Sequence, residues 1–550
     1  MNSTVPKPYF VPPSWRWDGN DGRWSTFTIR VGTPEQEFRI LPATAKSWTY
    51  VPVGGCSTDK PDLPQCGDSR GVLPFNGSNS TGFSRSSSST WQNATTKVLD
   101  KGARADTNYG RDTIRLGIPN SESLTLEAQI VGQMRSDDFY LGSLGIGVEG
   151  FHLTNSSDLE PSFLMNLKKK NLIPSLSFAY TAGAMYRTPQ LPGSLTLGGY
   201  DASRFIANTH NFKIEPVCPN KLTVRLQGIT AYSTPFGLRE LLVNPFPVGI
   251  DSSVSHLWLP RKECDKFADI FGLTYDEKTD LYLVNDTMHA QLQKFQPSFE
   301  FSLGDLDSEI SASNDSATTG PVTIKIPYGA LDLQASWPLF DKTTNYFPIR
   351  RAPDEGPYKL GRAFLQEAYM IVDYERSNFS IHQGRFSVPM PEHDIVTINS
   401  PRQNNLSNST DESPKKAFHA KFSTSSIIGT TIGLTAITAL FAMMIFFCFR
   451  RRHNLKFCRS AEQRRGLVTP ASEETSELYT AIPEMHGSKG GIEVDGMQQI
   501  NLASDDAQNK NNCALKTGLY YELSAEGEKV LSNKGSESPS VAPLRRARTL

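Results

Sequence analysis

The sequence predicts a mostly β chain folded in two lobes, followed by one transmembrane helix and a disordered tail. Three observations carry that expectation. Short runs that alternate apolar and polar residues, rich in Val, Ile, Thr and aromatics, recur between residues 24 and 385 with few helical patterns among them. Residues 38–52 and 246–260 share one design: an apolar strand, a turn of small residues, an aromatic residue, then Val-Pro or Leu-Pro. Two such copies about two hundred residues apart point to a duplicated lobe. Finally, residues 427–449 are twenty-three consecutive residues without a charge.

In chain order, residues 24–31 and 37–41 alternate with period two around Gly32-Thr33-Pro34, which reads as a hairpin. The Ser-, Gly- and Asn-rich stretch 54–90 reads as a surface loop, and strands resume at 113–116 and 124–131. A glycine-rich strand at 139–147 and a short amphipathic helix over 161–170 follow, then Leu197-Gly198-Gly199-Tyr200-Asp201 as a turn. The second half contains the strand leading to Asp251, a helix around 262–271 and a strand-like run at 297–303. These readings divide the chain into a lead-in (1–22), two lobes (23–208 and 209–388), a glycosylated stalk (389–426), the span (427–449) and the tail (450–550).

With 550 residues and a formal net charge of −1, the chain carries no global field that suits nucleic acid, and none is expected as a partner. At a rise of about 1.5 Å per residue, residues 427–449 are long enough to cross a bilayer core of about 30 Å. Arg450-Arg451-Arg452, Lys456, Arg459, Arg464 and Arg465 follow the run, whereas only Lys415, Lys416 and Lys421 flank its other side. The positive-inside bias therefore predicts a type I single-pass protein with an extracellular or lumenal N-terminal part. Asn-x-Ser/Thr acceptors agree: Asn2, Asn76, Asn79, Asn93, Asn155, Asn285, Asn314, Asn378, Asn405 and Asn408 all precede the run. Cysteine divides the same way, with Cys56, Cys66, Cys218 and Cys264 before the run and Cys448, Cys458 and Cys513 in or after it. Four cysteines allow three pairings; the expected set is Cys56 with Cys66 and Cys218 with Cys264. Cys448 and Cys458 stand where palmitoylation occurs. The first residues contain no apolar signal segment, and truncation of the start is the expectation.

Over residues 20–385 the chain resembles the pepsin-like aspartic proteases. In that family each duplicated strand ends in Asp-Thr-Gly or Asp-Ser-Gly, and the two aspartates face each other across the lobes. The second copy here reads Asp251-Ser252-Ser253, but the first reads Ala43-Thr44-Ala45. Residues 139–147, the Leu197–Asp201 turn and Tyr358-Lys359-Leu360-Gly361 resemble three further family stretches. The resemblance implies a bilobal pepsin-like acid protease fold, with Thr44 and Ser252 locking the two turns together.

Acid protease chemistry needs two carboxylates sharing one proton, one activating a water while the other protonates the carbonyl oxygen under attack. Two such charges about 3 Å apart cannot both ionise. With Ala43 in the first position, Asp251 is the retained half of the pair, and losing one member of such a unit costs on the order of 10⁴ or more in rate. Asp18 and Asp21 lie a hairpin away from the turn and are poor substitutes. Other departures point the same way. Ala45 and Ser253 stand where the family has glycine, and Lys46 where it has serine. The flap expected near Asp100-Lys101-Gly102 has no tyrosine.

Gly67-Asp68-Ser69-Arg70-Gly71 and Gly145-Ile146-Gly147-Val148-Glu149-Gly150 match a hydrolase and a dinucleotide pattern but lack the strand–helix context. No zinc spacing occurs, so no cofactor or metal is expected. The expectation is a catalytically inactive, membrane-anchored surface binding or sensor glycoprotein. Its interlobe cleft is expected to take an extended peptide or a wall or matrix chain. The alternative is an active, membrane-tethered endopeptidase with an altered active site. In the tail, Tyr479-Thr480-Ala481-Ile482, Tyr520-Tyr521-Glu522-Leu523 and Arg545-Arg546-Ala547-Arg548-Thr549 suit sorting or kinase partners.

Overall fold

The alternating runs pair into sheets as their period requires. The computed structural model describes residues 6–54, 66–94, 108–117, 123–134, 140–152, 159–216, 218, 220–235, 237–306, 320–353 and 356–401. The expected span, the tail, Cys56, Asn155, Asn314, Asn405, Asn408 and the flap near residue 101 lie outside these residues. No helix among the described residues is long and apolar enough to cross a membrane.

The first sheet is eight-stranded and centres on the hairpin Trp24–Val31 and Gln36–Ala43, in register at Phe27 with Ile40 and Val31 with Gln36. Gln36–Ala43 runs parallel to Gly142–Gly145, which pairs Ala43 with Gly145. Thr49–Pro52 then returns antiparallel to that same strand, Tyr50 facing Ser143. The second eight-stranded sheet repeats this plan. Phe246–Ile250 runs parallel to Lys359–Leu360, and Leu257–Leu259 returns antiparallel to it, Trp258 facing Lys359. Each half therefore threads a later apolar-Gly strand behind its own turn. A Cβ on Gly145 would lie 2.5 Å from Trp48 N, and one on Gly361 would lie 2.4 Å from His256 O, so both close approaches demand glycine.

A third sheet draws on both halves, Ser177–Ala184 pairing with Ala368–Asp373 in the register Ser177 with Asp373. The helices behave as their patterns require. Phe163–Lys169 is capped by Ser162, whose hydroxyl accepts from Met165 N, and buries Phe163, Leu164 and Leu167. Arg261–Phe271 buries Cys264, Phe267 and Phe271 on one face and ends at Gly272 with φ +58°.

The structure corrects three expectations. Tyr9–Val11 and Pro13–Asp18 are strands paired to Leu191–Leu197 and Trp24–Val31, so the supposed lead-in is part of the fold. Ile395–Thr397 likewise pairs with Gly199–Asp201, because Asp201 holds that segment by accepting from Asp394 N and contacting His393. Cys264 is a free, fully buried thiol directed at the carbonyls of Leu259 and Arg350, so the bridge of Cys218 with Cys264 does not form. Cys66 and Cys218 are not free.

Candidate functional site

The two small-residue turns meet back to back. Thr44 N donates to Ser252 Oγ and Ser252 N donates to Thr44 Oγ1, each at 3.0 Å, while Ser252 Oγ donates to the Pro42 carbonyl at 2.8 Å. Both residues are buried, at 4% and 0% exposure, so these bonds satisfy groups that water does not reach. This interlock sets residues 43 and 251 in corresponding positions of the two halves. Ala43 is buried there with a methyl group and its carbonyl accepts from Ile146 N and Lys46 N.

Asp251 is 2% exposed, and its carboxylate is fully engaged. Oδ1 accepts from Ser253 N at 2.9 Å, and Oδ2 pairs with Lys359 Nζ, also at 2.9 Å. Burial pushes this carboxyl up, but the Lys359 charge and the hydrogen bonds from Lys359 and Ser253 outweigh it and hold the group below the ordinary aspartate value. The Lys359 ammonium also lies 5.8 Å from the centre of the Trp258 ring, against which Arg350 stacks at 5.1 Å.

Behind the turn a second buried group supports it. Arg362 Nη1 donates to the Ser252 carbonyl at 2.9 Å, and Nη2 lies 3.6 Å from Asp21 Oδ2. Asp21 also accepts from Trp24 Nε1 at 2.8 Å and from the Ser255 hydroxyl. Burial raises the Asp21 carboxyl, but the charges of Arg362 and His256 and these bonds leave it below its ordinary value. Burial lowers His256 to about 4. Asp18 is bound to Arg39 at 2.9 and 3.1 Å. Both upstream acids are therefore committed to other partners.

Of the departures read in the sequence, Ser253 is half-buried with its Oγ unpartnered, Ala45 is exposed, and Lys46 lies 6.0 Å from the Trp48 ring. Among the glycosylation acceptors, Asn76, Asn79, Asn93 and Asn285 are exposed, whereas Asn378 is half-buried in a strand paired to Asp373 and Lys213. Lys359 was not foreseen as a site residue. Its signal was a lone lysine in the otherwise apolar Tyr358-Lys359-Leu360-Gly361.

A cavity of about 1060 Å³ lies elsewhere, lined by Tyr186, Arg187, Lys325, Glu367, Gln383 and Phe386 among others, and by neither turn. There Glu367 accepts from Arg187 at 2.5 Å and from Gln383 at 3.0 Å, and Arg187 stacks on Phe386 at 3.7 Å. The interlocked turns carry Asp251, the carboxyl that the sequence singles out, and are the stronger candidate site.

Residues 26–383 match the family model for eukaryotic aspartyl proteases. The match spans more than half of the chain, and the protein belongs to that family. Similar proteins include the acid protease of Saccharomycopsis fibuligera, 22% identical over 377 residues that cover 65% of this chain and 80% of that protein. Yapsin-3 of Saccharomyces cerevisiae, an aspartic proteinase, is 20% identical over 70% of this chain and 72% of its own length. Barrierpepsin of the same yeast is 22% identical over 47% of this chain, and the match spans only 41% of its length. The crystal structure of the aspartic proteinase from Irpex lacteus aligns with 69% of this chain and 98% of its own, at 16% identity and a TM-score of 0.45.

Proposed function

We propose that this protein is a catalytically inactive eukaryotic aspartyl protease homologue that uses the cleft between its halves to bind rather than to cut. One observation carries the reading: of the residues that immediately precede the interlocked Thr44 and Ser252, one is Ala43, which brings no carboxyl, and the other is Asp251, whose charge is met by Lys359. A proton shared between two like-charged groups is what supplies both the base and the acid of this chemistry. A single carboxylate already paired with an ammonium supplies neither role well. The ligand that fits a cleft walled by strands is an extended peptide, or a wall or matrix chain laid in the same manner.

The uncharged run at 427–449, its basic C-terminal flank and the confinement of acceptor asparagines to the preceding part support a membrane-anchored glycoprotein. The exposure of Asn76, Asn79, Asn93 and Asn285 fits glycosylation on the same side. The test is a peptide-cleavage assay on the full chain from pH 3 to 7, with a transition-state inhibitor of aspartic proteases and Asp251→Ala as controls. Turnover at background is expected for both forms. Inhibitor-sensitive turnover that disappears in Asp251→Ala would overturn the reading in favour of an active endopeptidase.

A further inference from the structure

We infer that Lys359 is a second, independent block on acid protease chemistry, so that restoring a carboxyl at position 43 does not by itself rebuild a proton-sharing pair. The inference rests on the reading of Ala43 as the vacated half of the dyad. It concerns a residue that acts on the dyad position from another strand.

The placement of Lys359 is fixed by its backbone. Gly249 N donates to the Tyr358 carbonyl and Asp251 N to the Leu360 carbonyl, each at 3.0 Å, so residue 359 is bracketed by bonds to the strand that delivers Asp251. On the other side it pairs with Trp258, whose ring lies beneath the lysine. Leu360 next to it is fully buried, and the Lys359 side chain is 25% exposed. The ammonium is thus held at the Asp251 carboxylate by a clamped strand and an aromatic support rather than by a free surface side chain.

The chemical consequence follows from charge. Two facing carboxyls keep one proton because the second ionisation creates like charges at close range, and this raises one of the two titrations. An opposite charge within about 4–6 Å acts in the reverse sense and lowers a carboxyl by about 1–3 pH units. Lys359 supplies that charge 2.9 Å from Asp251 Oδ2, while Oδ1 already accepts the Ser253 N–H, a donor that also favours the ionised form. An aspartate placed at position 43 would join a site that holds one negative and one positive charge. Its ionisation brings the site to a net −1, not the −2 of a bare dyad. Both carboxyls then ionise at low pH, and no proton remains between them in the range where acid proteases work.

The experiment compares Ala43→Asp with the double variant Ala43→Asp/Lys359→Met, both as the full chain labelled at aspartate 13Cγ, by carboxyl chemical shift from pH 3 to 8. Asp251→Asn in each background assigns the site resonances. In Ala43→Asp neither site carboxyl is expected to titrate above about pH 4.5; in the double variant one titrates at least about two pH units higher. A site carboxyl titrating above 4.5 in Ala43→Asp, or none doing so in the double variant, overturns the inference. Lys359→Gln serves in place of Lys359→Met if the latter does not fold. Failure of the inactive-homologue reading appears separately, as cleavage by the unmodified protein.

Discussion

Replacing Lys359 by methionine tests the electrostatics of the site with a number. Methionine keeps an unbranched stem against Trp258 and removes only the charge. What remains around Asp251 is burial, the largest single influence, which raises its carboxyl, and the Ser253 hydrogen bonding, which lowers it. With the Lys359 charge gone, the folded-state carboxyl therefore rises. In the unmodified protein a depressed carboxyl contributes stability that is present above the unfolded value and lost as pH falls through the folded one. In Lys359→Met that contribution is lost at neutral pH, and the difference between the two forms shrinks as the carboxyl protonates. Removing one partner of a buried pair costs about 3–5 kcal/mol. Because Lys359 is a quarter exposed, the low end applies, about 3 kcal/mol at pH 7. Urea unfolding at pH 7 and pH 4 measures it. The deficit is expected to be smaller at pH 4 than at pH 7. A loss under about 1 kcal/mol at pH 7, or a deficit that does not shrink on acidification, would refute the reasoning.

Two other outcomes follow from the same geometry. Ser252→Ala strands the Thr44 N–H and the Pro42 carbonyl in a buried place and is expected to cost about 3 kcal/mol, whereas Ser253→Ala, which removes no bond between the two turns, is expected to cost clearly less. Urea midpoints decide, and equal costs would remove the interlock from the account. Cys264, with its thiol pushed up to about 12 mainly by burial, should resist maleimide in the native protein at pH 7.5 and react after unfolding, as read by peptide mapping. Native-state labelling at that cysteine would contradict its placement.

Ala43, Thr44, Asp251 and Ser252 were legible because each sits in a contiguous turn whose neighbours identify it. Lys359 was not, since it reaches Asp251 from a strand 108 residues away and belongs to no motif. Cys264 misled because an even count of cysteines invites pairing, yet its place on the inward face of the helix Arg261–Phe271 makes it an ordinary core thiol. The strands Tyr9–Val11 and Ile395–Thr397 have three residues each, too few to display a period, and they exist because a longer strand or a carboxylate such as Asp201 receives them. The helix Asp286–Phe295 was overlooked for a related reason. Its cap is Asn285, whose side-chain Oδ1 accepts from Met288 N at 2.9 Å, and the same asparagine also fits an acceptor pattern.

The pattern of what is kept and what is lost has a physical logic. The interlock needs hydroxyls and backbone N–H groups only, so Thr44 and Ser252 do their structural work whatever occupies positions 43 and 251. A dyad, by contrast, imposes a cost on the fold: two buried carboxylates whose second ionisation is opposed by the first. Replacing one by alanine removes that repulsion but leaves a lone buried charge, which is also costly. Lys359 settles the remainder by making the site neutral as an ion pair that no longer depends on a proton. The two substitutions are thus complementary, and each makes the other more tolerable. A protein carrying both holds this buried carboxylate as an ion pair rather than through a shared proton.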